Sequence, residues 1–199
     1  MSYHERHLPH WQPEGAALFV TWRLHGSLPA SVQALKNESA GRQFVAFDRV
    51  LDRAATGPRW LADERVARCV MGALHYGERE LHLYRLRAWV LMSNHIHILI
   101  YPEADLSRIT KAIKNFSARG ANTILGRTGQ PFWQDESYDR WVRTPDELEK
   151  IVRYIEGNPV AGMVPRVQDW RWSSALEDRP GGLSYICRPP PQIKTSAVT

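Results

Sequence analysis

The sequence predicts an α+β domain, an antiparallel sheet with helices packed on it. Three observations predict it. Short stretches rich in β-branched and aromatic residues alternate along the chain with longer stretches whose apolar residues recur every three or four positions. Gly, Pro, Ser and Asn punctuate the boundaries between them. The 199 residues are 43% hydrophobic, which suffices for one packed core.

Each element follows from its own residues. Residues 16–25 read as a strand, Ala-Ala-Leu-Phe-Val-Thr-Trp-Arg-Leu-His, ended by Gly26. A helix is expected to begin near Pro29 in the mixed stretch before the Gly57-Pro58 break. Asp63 is the expected N-cap of a helix to about Tyr76, with Val66, Ala67, Val70, Met71 and Leu74 inward. Residues 81–92 and 95–101, joined by Ser93-Asn94, predict a hairpin in the middle of the sheet. A second helix runs from about Asp105 to Leu125, with Ile109, Ile113 and Phe116 inward and Arg108, Lys111, Asn115 and Arg119 outward. Residues 136–143 form a fourth strand. The last helix opens on a capping box, Thr144 with Glu147, and Pro145 at its first position. Gly157 and Pro159 are expected to end it.

The order strand, helix, strand, strand, helix, strand, helix is the split pattern of a ferredoxin-like sheet, with helices on one face. The folded domain is expected to span residues 1–176, followed by a Pro- and Gly-rich tail, 177–199, with little capacity to pack. The polar start, Met1 to Trp11, has no apolar signal core, and no stretch reaches the roughly 20 apolar residues of a membrane span. Two cysteines, Cys69 and Cys187, build neither a metal cage nor a disulfide framework, so a reduced cytoplasm is the simplest setting. The net charge of +5 favours a polyanionic partner, and of the eight tryptophans most are expected in the core while some could stack on unpaired bases.

Chemistry enters at the third predicted strand. Its alternation puts His95, His97 and Leu99 on one face and Ile96, Ile98 and Ile100 on the other. Two imidazoles two residues apart on a stiff strand make a half-site for a divalent ion. The same spacing suits two histidines hydrogen-bonded at a sheet surface, because a metal site needs a third ligand and supporting groups. Tyr154 and Asn158, four apart, share a face of the last helix beside its apolar stripe. An Asn158 amide oxygen would be that third ligand, and the Tyr154 phenol would reach a phosphate on the same ion. An interfacial tyrosine with an asparagine C-cap fits the spacing as well. Arg108, Lys111 and Arg119, with Lys114 and Arg127 nearby and Arg140 and Arg143 beyond, are candidate phosphate contacts. A solvated helix face is the alternative for each.

Ser93-Asn94-His95-Ile96-His97-Ile98-Leu99, after Ala88-Trp89-Val90-Leu91-Met92, resembles the HUH strand of the single-tyrosine transposases. Tyr154-Ile155-Glu156-Gly157-Asn158-Pro159-Val160 resembles the nucleophile helix of REP-associated tyrosine transposases. His7-Leu8-Pro9-His10-Trp11, Phe19 to Leu24, Phe132 to Asp139 and Trp170 to Ala175 extend the likeness over residues 7–176. One departure is Ser93, where proline is the commoner residue. The resemblance implies a ferredoxin-like domain of the HUH endonuclease type that cleaves hairpin-forming single-stranded DNA. It implies a covalent link from Tyr154 to the 5′-phosphate, with His95, His97 and Asn158 holding Mg²⁺ or Mn²⁺. Two imidazoles suit Mn²⁺ at least as well as Mg²⁺. Tyr138 is the rival nucleophile, without a ligand residue one helical turn away. Homodimer and monomer both stay open.

Three competing readings share these features. A non-catalytic nucleic-acid binder on the same fold would need no His-x-His with a partnered tyrosine. A related replication initiator or relaxase usually carries accessory regions for which 199 residues leave no room. A small structural metal protein would take up zinc tightly at equal stoichiometry.

Overall fold

The computed structural model describes residues 15–29, 40–53, 56–161 and 170–176. The elements run β1 (Leu18–Arg23), α1 (Ala40–Arg53), a 3-10 turn (Trp60–Ala62), α2 (Glu64–Arg79), β2 (Tyr84–Leu91), β3 (His95–Pro102), α3 (Leu106–Ile124), β4 (Tyr138–Trp141) and α4 (Pro145–Ala161). The strands form one antiparallel sheet in the order β2-β3-β1-β4, the ferredoxin-like arrangement expected. Pro29 itself is not helical and the expected helix is seen from Ala40, while residues 30–39, the motif His7 to Trp11 and the tail 177–199 lie outside the described residues.

Strand alternation sorts the side chains into two layers. Leu18, Val20 and Trp22 of β1, with Leu24 just beyond it, join Ile96, Ile98 and Ile100 of β3 on one face, against Val66, Val70, Met71 and Leu74 of α2 and Ile109 and Ile113 of α3. Phe19, Val90 and Leu99 face the other way, against Ile155 and its neighbours on α4. Helices therefore cover both faces, not one. Helix α4 lands opposite α2 and α3 because its own apolar stripe, Leu148, Ile151, Val152 and Ile155, needs the second face of the sheet. A bulge at Arg87 preserves this sorting along β2. It pairs Trp89 with Ile98 and Val90 with His97, although Leu86 on the same strand pairs with Ile100.

The caps behave largely as the sequence indicates. Asp63 accepts from the Arg65 amide at 2.9 Å, and Thr144 accepts from the Glu147 amide at 3.2 Å. Glu147 reaches one residue beyond the box and takes the amide of Arg143 at 2.9 Å. Two further expectations are corrected. Pro159 lies inside α4, which continues to Ala161. So close to the end, a missing N–H removes one hydrogen bond of the final turn and leaves the helix intact. The β2–β3 hairpin is not central either, since β2 is the edge strand.

That edge is closed by the segment 170–176. The Leu91 amide donates to the Trp172 carbonyl at 2.9 Å, the Trp89 amide to Ser174 Oγ at 3.1 Å, and the Trp170 indole to the Leu91 carbonyl at 2.8 Å. Among the described residues no helix is long and apolar enough to cross a membrane.

Candidate active site

β3 presents His95 and His97 on the α4 side of the sheet, and β1 sets Thr21 opposite His97. Neither imidazole has any exposed surface. Each is held through Nδ1, His95 to Asn94 Oδ1 and His97 to Thr21 Oγ1, both at 2.7 Å. The Asn94 amide is itself oriented, because its Nδ2 donates to the Leu51 carbonyl at 2.9 Å. Its Oδ1 is then an acceptor, so His95 carries its proton on Nδ1 and leaves a lone pair on Nε2. This is the support that a ligating histidine ordinarily receives.

α1 supplies what the strand lacks. Asp48 Oδ1 stands 3.2 Å from His97 Nε2 and 3.8 Å from His95 Nε2. Asp52, one turn on, lies 3.7 Å from His95 Nε2. The other oxygen of Asp48 accepts the hydroxyl of Tyr154. Asn158 is buried with Nδ2 3.4 Å from His97 Nε2, and its Oδ1 meets no donor among the described residues. Phe19 walls the pocket, stacked on His97 at 5.7 Å and edge-on to Tyr154 at 6.1 Å.

Burial presses most of these groups toward neutrality. Burial and the adjacent His97 push His95 down to about 3. Burial and the Asp48 charge push Asp52 up to about 7. Burial, then the Asp48 charge and hydrogen bond, raise the Tyr154 phenol well above its ordinary value. Burial acts on Asp48 too, yet the His97 hydrogen bond and the two imidazoles outweigh it and hold this carboxyl below the usual range.

Asp48, His95 and His97 each offer one ligand atom, all within 4.8 Å of one another. The two Nε2 atoms are 3.0 Å apart. Two ligands about 2.1 Å from one ion at octahedral right angles are separated by roughly that distance. Among the described residues, Oδ1 of Asp52 and of Asn158 are buried without a donor. Such orphaned acceptors, facing an imidazole lone pair, fit a cation better than they fit an apolar pocket.

The structure thus brings Tyr154, His95, His97 and Asn158 together and adds Asp48 and Asp52. The two carboxylates were legible in one respect only. Placed four apart on a helix, they share a face, where like charges destabilise unless something cationic separates them. Tyr138 sits on the same side of the sheet, half-buried, its ring 6.3 Å from Phe19.

The basic candidates divide. Arg108, Lys111 and Arg119 are exposed on α3, across the sheet from the histidines. Lys114 donates to the carbonyls of Gln134 and Asp135, both at 3.0 Å, and Arg127 lies 4.1 Å over the Trp60 ring. Arg140 pairs with Glu147 on β4, opposite Phe19, and Arg143 is exposed beside it.

Residues 77–158 match the family model described as transposase IS200 like, a span that holds both histidines, Tyr154 and Asn158 but not Asp48. No curated protein matches the chain. Among solved structures, one described as the REP-associated tyrosine transposase bound to a REP hairpin aligns at TM-score 0.52 with 19% identity over 92% of each chain. A crystal structure described as a transposase from Deinococcus radiodurans R1 aligns at TM-score 0.42 with 16% identity, over 79% of this chain and 98% of that one. The likeness drawn from the motifs is thereby borne out over the matched span, and the α+β fold class with it.

Proposed function

We propose that this chain, whose residues 77–158 match the IS200-like transposases, is a divalent-metal-dependent enzyme that nicks and rejoins single-stranded DNA through Tyr154. Its substrate is a hairpin-forming strand, the class of DNA named for the relative solved with a REP hairpin. It works in the cytoplasm, where that DNA is.

The observation that carries the reading is one chain of contacts in a buried pocket: Tyr154 hydroxyl to Asp48, Asp48 to His97, His97 to His95. Mg²⁺ or Mn²⁺, held by Asp48, His95, His97 and Asn158, would supply orientation of the scissile phosphate and stabilisation of charge on its non-bridging oxygens. Asp48 fixes the phenol and is placed to take its proton as the bond from Tyr154 Oη to phosphorus forms. The bond from phosphorus to the 3′-oxygen breaks, and that oxygen leaves with the electron pair and takes a proton from solvent. The products are a 5′-phosphotyrosine and a free 3′-hydroxyl. A 3′-hydroxyl attacking the phosphotyrosine reverses the step, rejoins a strand and returns the proton to Tyr154. Phe19 keeps an apolar wall beside Tyr154, which favours strand attack over water.

The test is incubation of labelled hairpin DNA with Mn²⁺. A denaturation-resistant adduct lost in Tyr154→Phe supports the reading. An equal yield in that variant moves the nucleophile to another residue, Tyr138 first. DNA binding with no adduct in the unaltered protein favours a non-catalytic binder.

A further inference from the structure

We propose that the cleft between α2 and α3 is a second nucleic-acid contact, taking an unpaired base and its flanking phosphates on the face turned away from the histidines. It rests on the DNA reading above and adds a place and a ligand chemistry to it.

The cleft encloses about 360 Å³. Its floor is small where α2 and α3 approach, at Ala73 and Gly77 from one helix and Ala112 from the other. Two features of its walls are unusual for this protein. Among the described residues the exposed large hydrophobic side chains are Tyr76 and Leu81, at 38% and 44% exposure, and both line this cleft. Tyr76 is stacked on Phe116 with ring centroids 5.7 Å apart and planes 8° from parallel. The result is a flat aromatic shelf partly left in water, where a soluble protein gains nothing from it unless something covers it.

The second feature is charge. Arg108, Lys111 and Arg119 also line the cleft, and no carboxylate does. They form one outward stripe of α3, the spacing that aligns side chains along a helix. Arg119 Nε bonds the Asn115 carbonyl at 3.3 Å, while Arg108 and Lys111 have no ion pair among the described residues. A π-shelf rimmed by unopposed cations is how single-stranded nucleic acid is held, each base offering a face to stack and each phosphate a charge. An acidic peptide would answer the charges and leave the shelf unused.

The experiment uses the full chain and a hairpin with a single-stranded extension carrying 5-iodouracil at successive positions. After irradiation, cross-linked residues are mapped by mass spectrometry. Anisotropy titrations over a salt series compare the unaltered protein with Tyr76→Ala and with Arg108→Ala/Lys111→Ala. The cleft predicts a cross-link at Tyr76 or Phe116. It predicts binding weakened roughly 10-fold in Tyr76→Ala, the scale of one base–aromatic stack. The double variant should lose about two from the slope of log affinity against log salt, one per phosphate contact. Adduct formation by the unaltered protein in the same assay tests the enzymatic reading separately. Thermal melting checks the fold of both variants, which should melt close to the unaltered protein.

Cross-links confined to β4 and α4, with affinity and salt slope unchanged in the double variant, overturn the cleft while adduct formation keeps the enzymatic reading. Failure of the unaltered protein to bind the hairpin overturns both. Cleft variants that bind DNA normally yet lose an acidic peptide ligand assign the surface to protein instead.

Discussion

One strand, β3, sends Ile96, Ile98 and Ile100 to one layer and His95, His97 and Leu99 to the other, and all six are fully buried. The isoleucine layer is closed mainly by apolar side chains of α2 and α3. The histidine layer is closed by α1 and α4 with carboxylates, an amide and a phenol. Equal burial therefore conceals opposite chemistry. The first layer stabilises the fold by removing apolar surface from water. The second holds acceptors that, among the described residues, are buried without donors, an arrangement that costs stability until a cation or a substrate completes it.

The sharpest separation of the layers is Tyr154→Phe. It should lower adduct formation by at least about 10⁴-fold, the scale of removing a nucleophile that acts within a unit. Its melting temperature should stay close to that of the unaltered protein, because only one hydroxyl is lost. A large loss of stability would mean that the histidine layer is structural after all. Ile98→Ala should do the reverse, costing about 2–5 kcal/mol by denaturant unfolding. The ability of the folded variant to form the adduct should survive.

Metal addition should sharpen the contrast next. Mn²⁺ at 100 times its dissociation constant should stabilise the protein by about 2.7 kcal/mol. His97→Ala should lose that increment and Ile98→Ala should keep it, as read by thermal melts with and without chelator. Stabilisation of His97→Ala by the same amount would place the ion elsewhere.

The smallest effect is in pH. Asp52 is raised to about 7 in the fold, so its contribution is complete below its unfolded value near 4 and disappears as pH rises through 7. His95 is lowered to about 3, so its contribution is complete above its unfolded value near 6.5 and disappears as pH falls toward 3. Between about 4 and 6.5 the two slopes oppose and largely cancel. Asp52→Asn removes one of them. The metal-free variant should then gain stability with rising pH in that window, by up to about 1.4 kcal/mol per pH unit. A flat profile in the variant would remove His95 from the account.

Much of this contrast was legible before any coordinates. The two-residue period of His95-Ile96-His97-Ile98 assigns opposite faces outright, and the capping box at Thr144 locates the helix that carries Tyr154. What was not legible depends on long-range placement. Asp48 lies 47 positions before His95, in a stretch whose local pattern shows a helix only vaguely, and nothing local says which sheet face that helix will cover. Helix packing on both faces was missed for the same reason, since an apolar stripe states that a partner exists and not which one. Pro159 misled because the rule that proline stops helices is weak in a last turn.

The strap of residues 170–176 along β2 has a consequence for assembly. A strand from another molecule cannot join the sheet on that side without first displacing hydrogen bonds at Trp89 and Leu91. Among the described residues β4 has no neighbour on its outer side, and its four residues offer a short ladder. Copies that met by sheet extension would therefore join β4 to β4, leaving both straps at the far ends of a continuous eight-stranded surface.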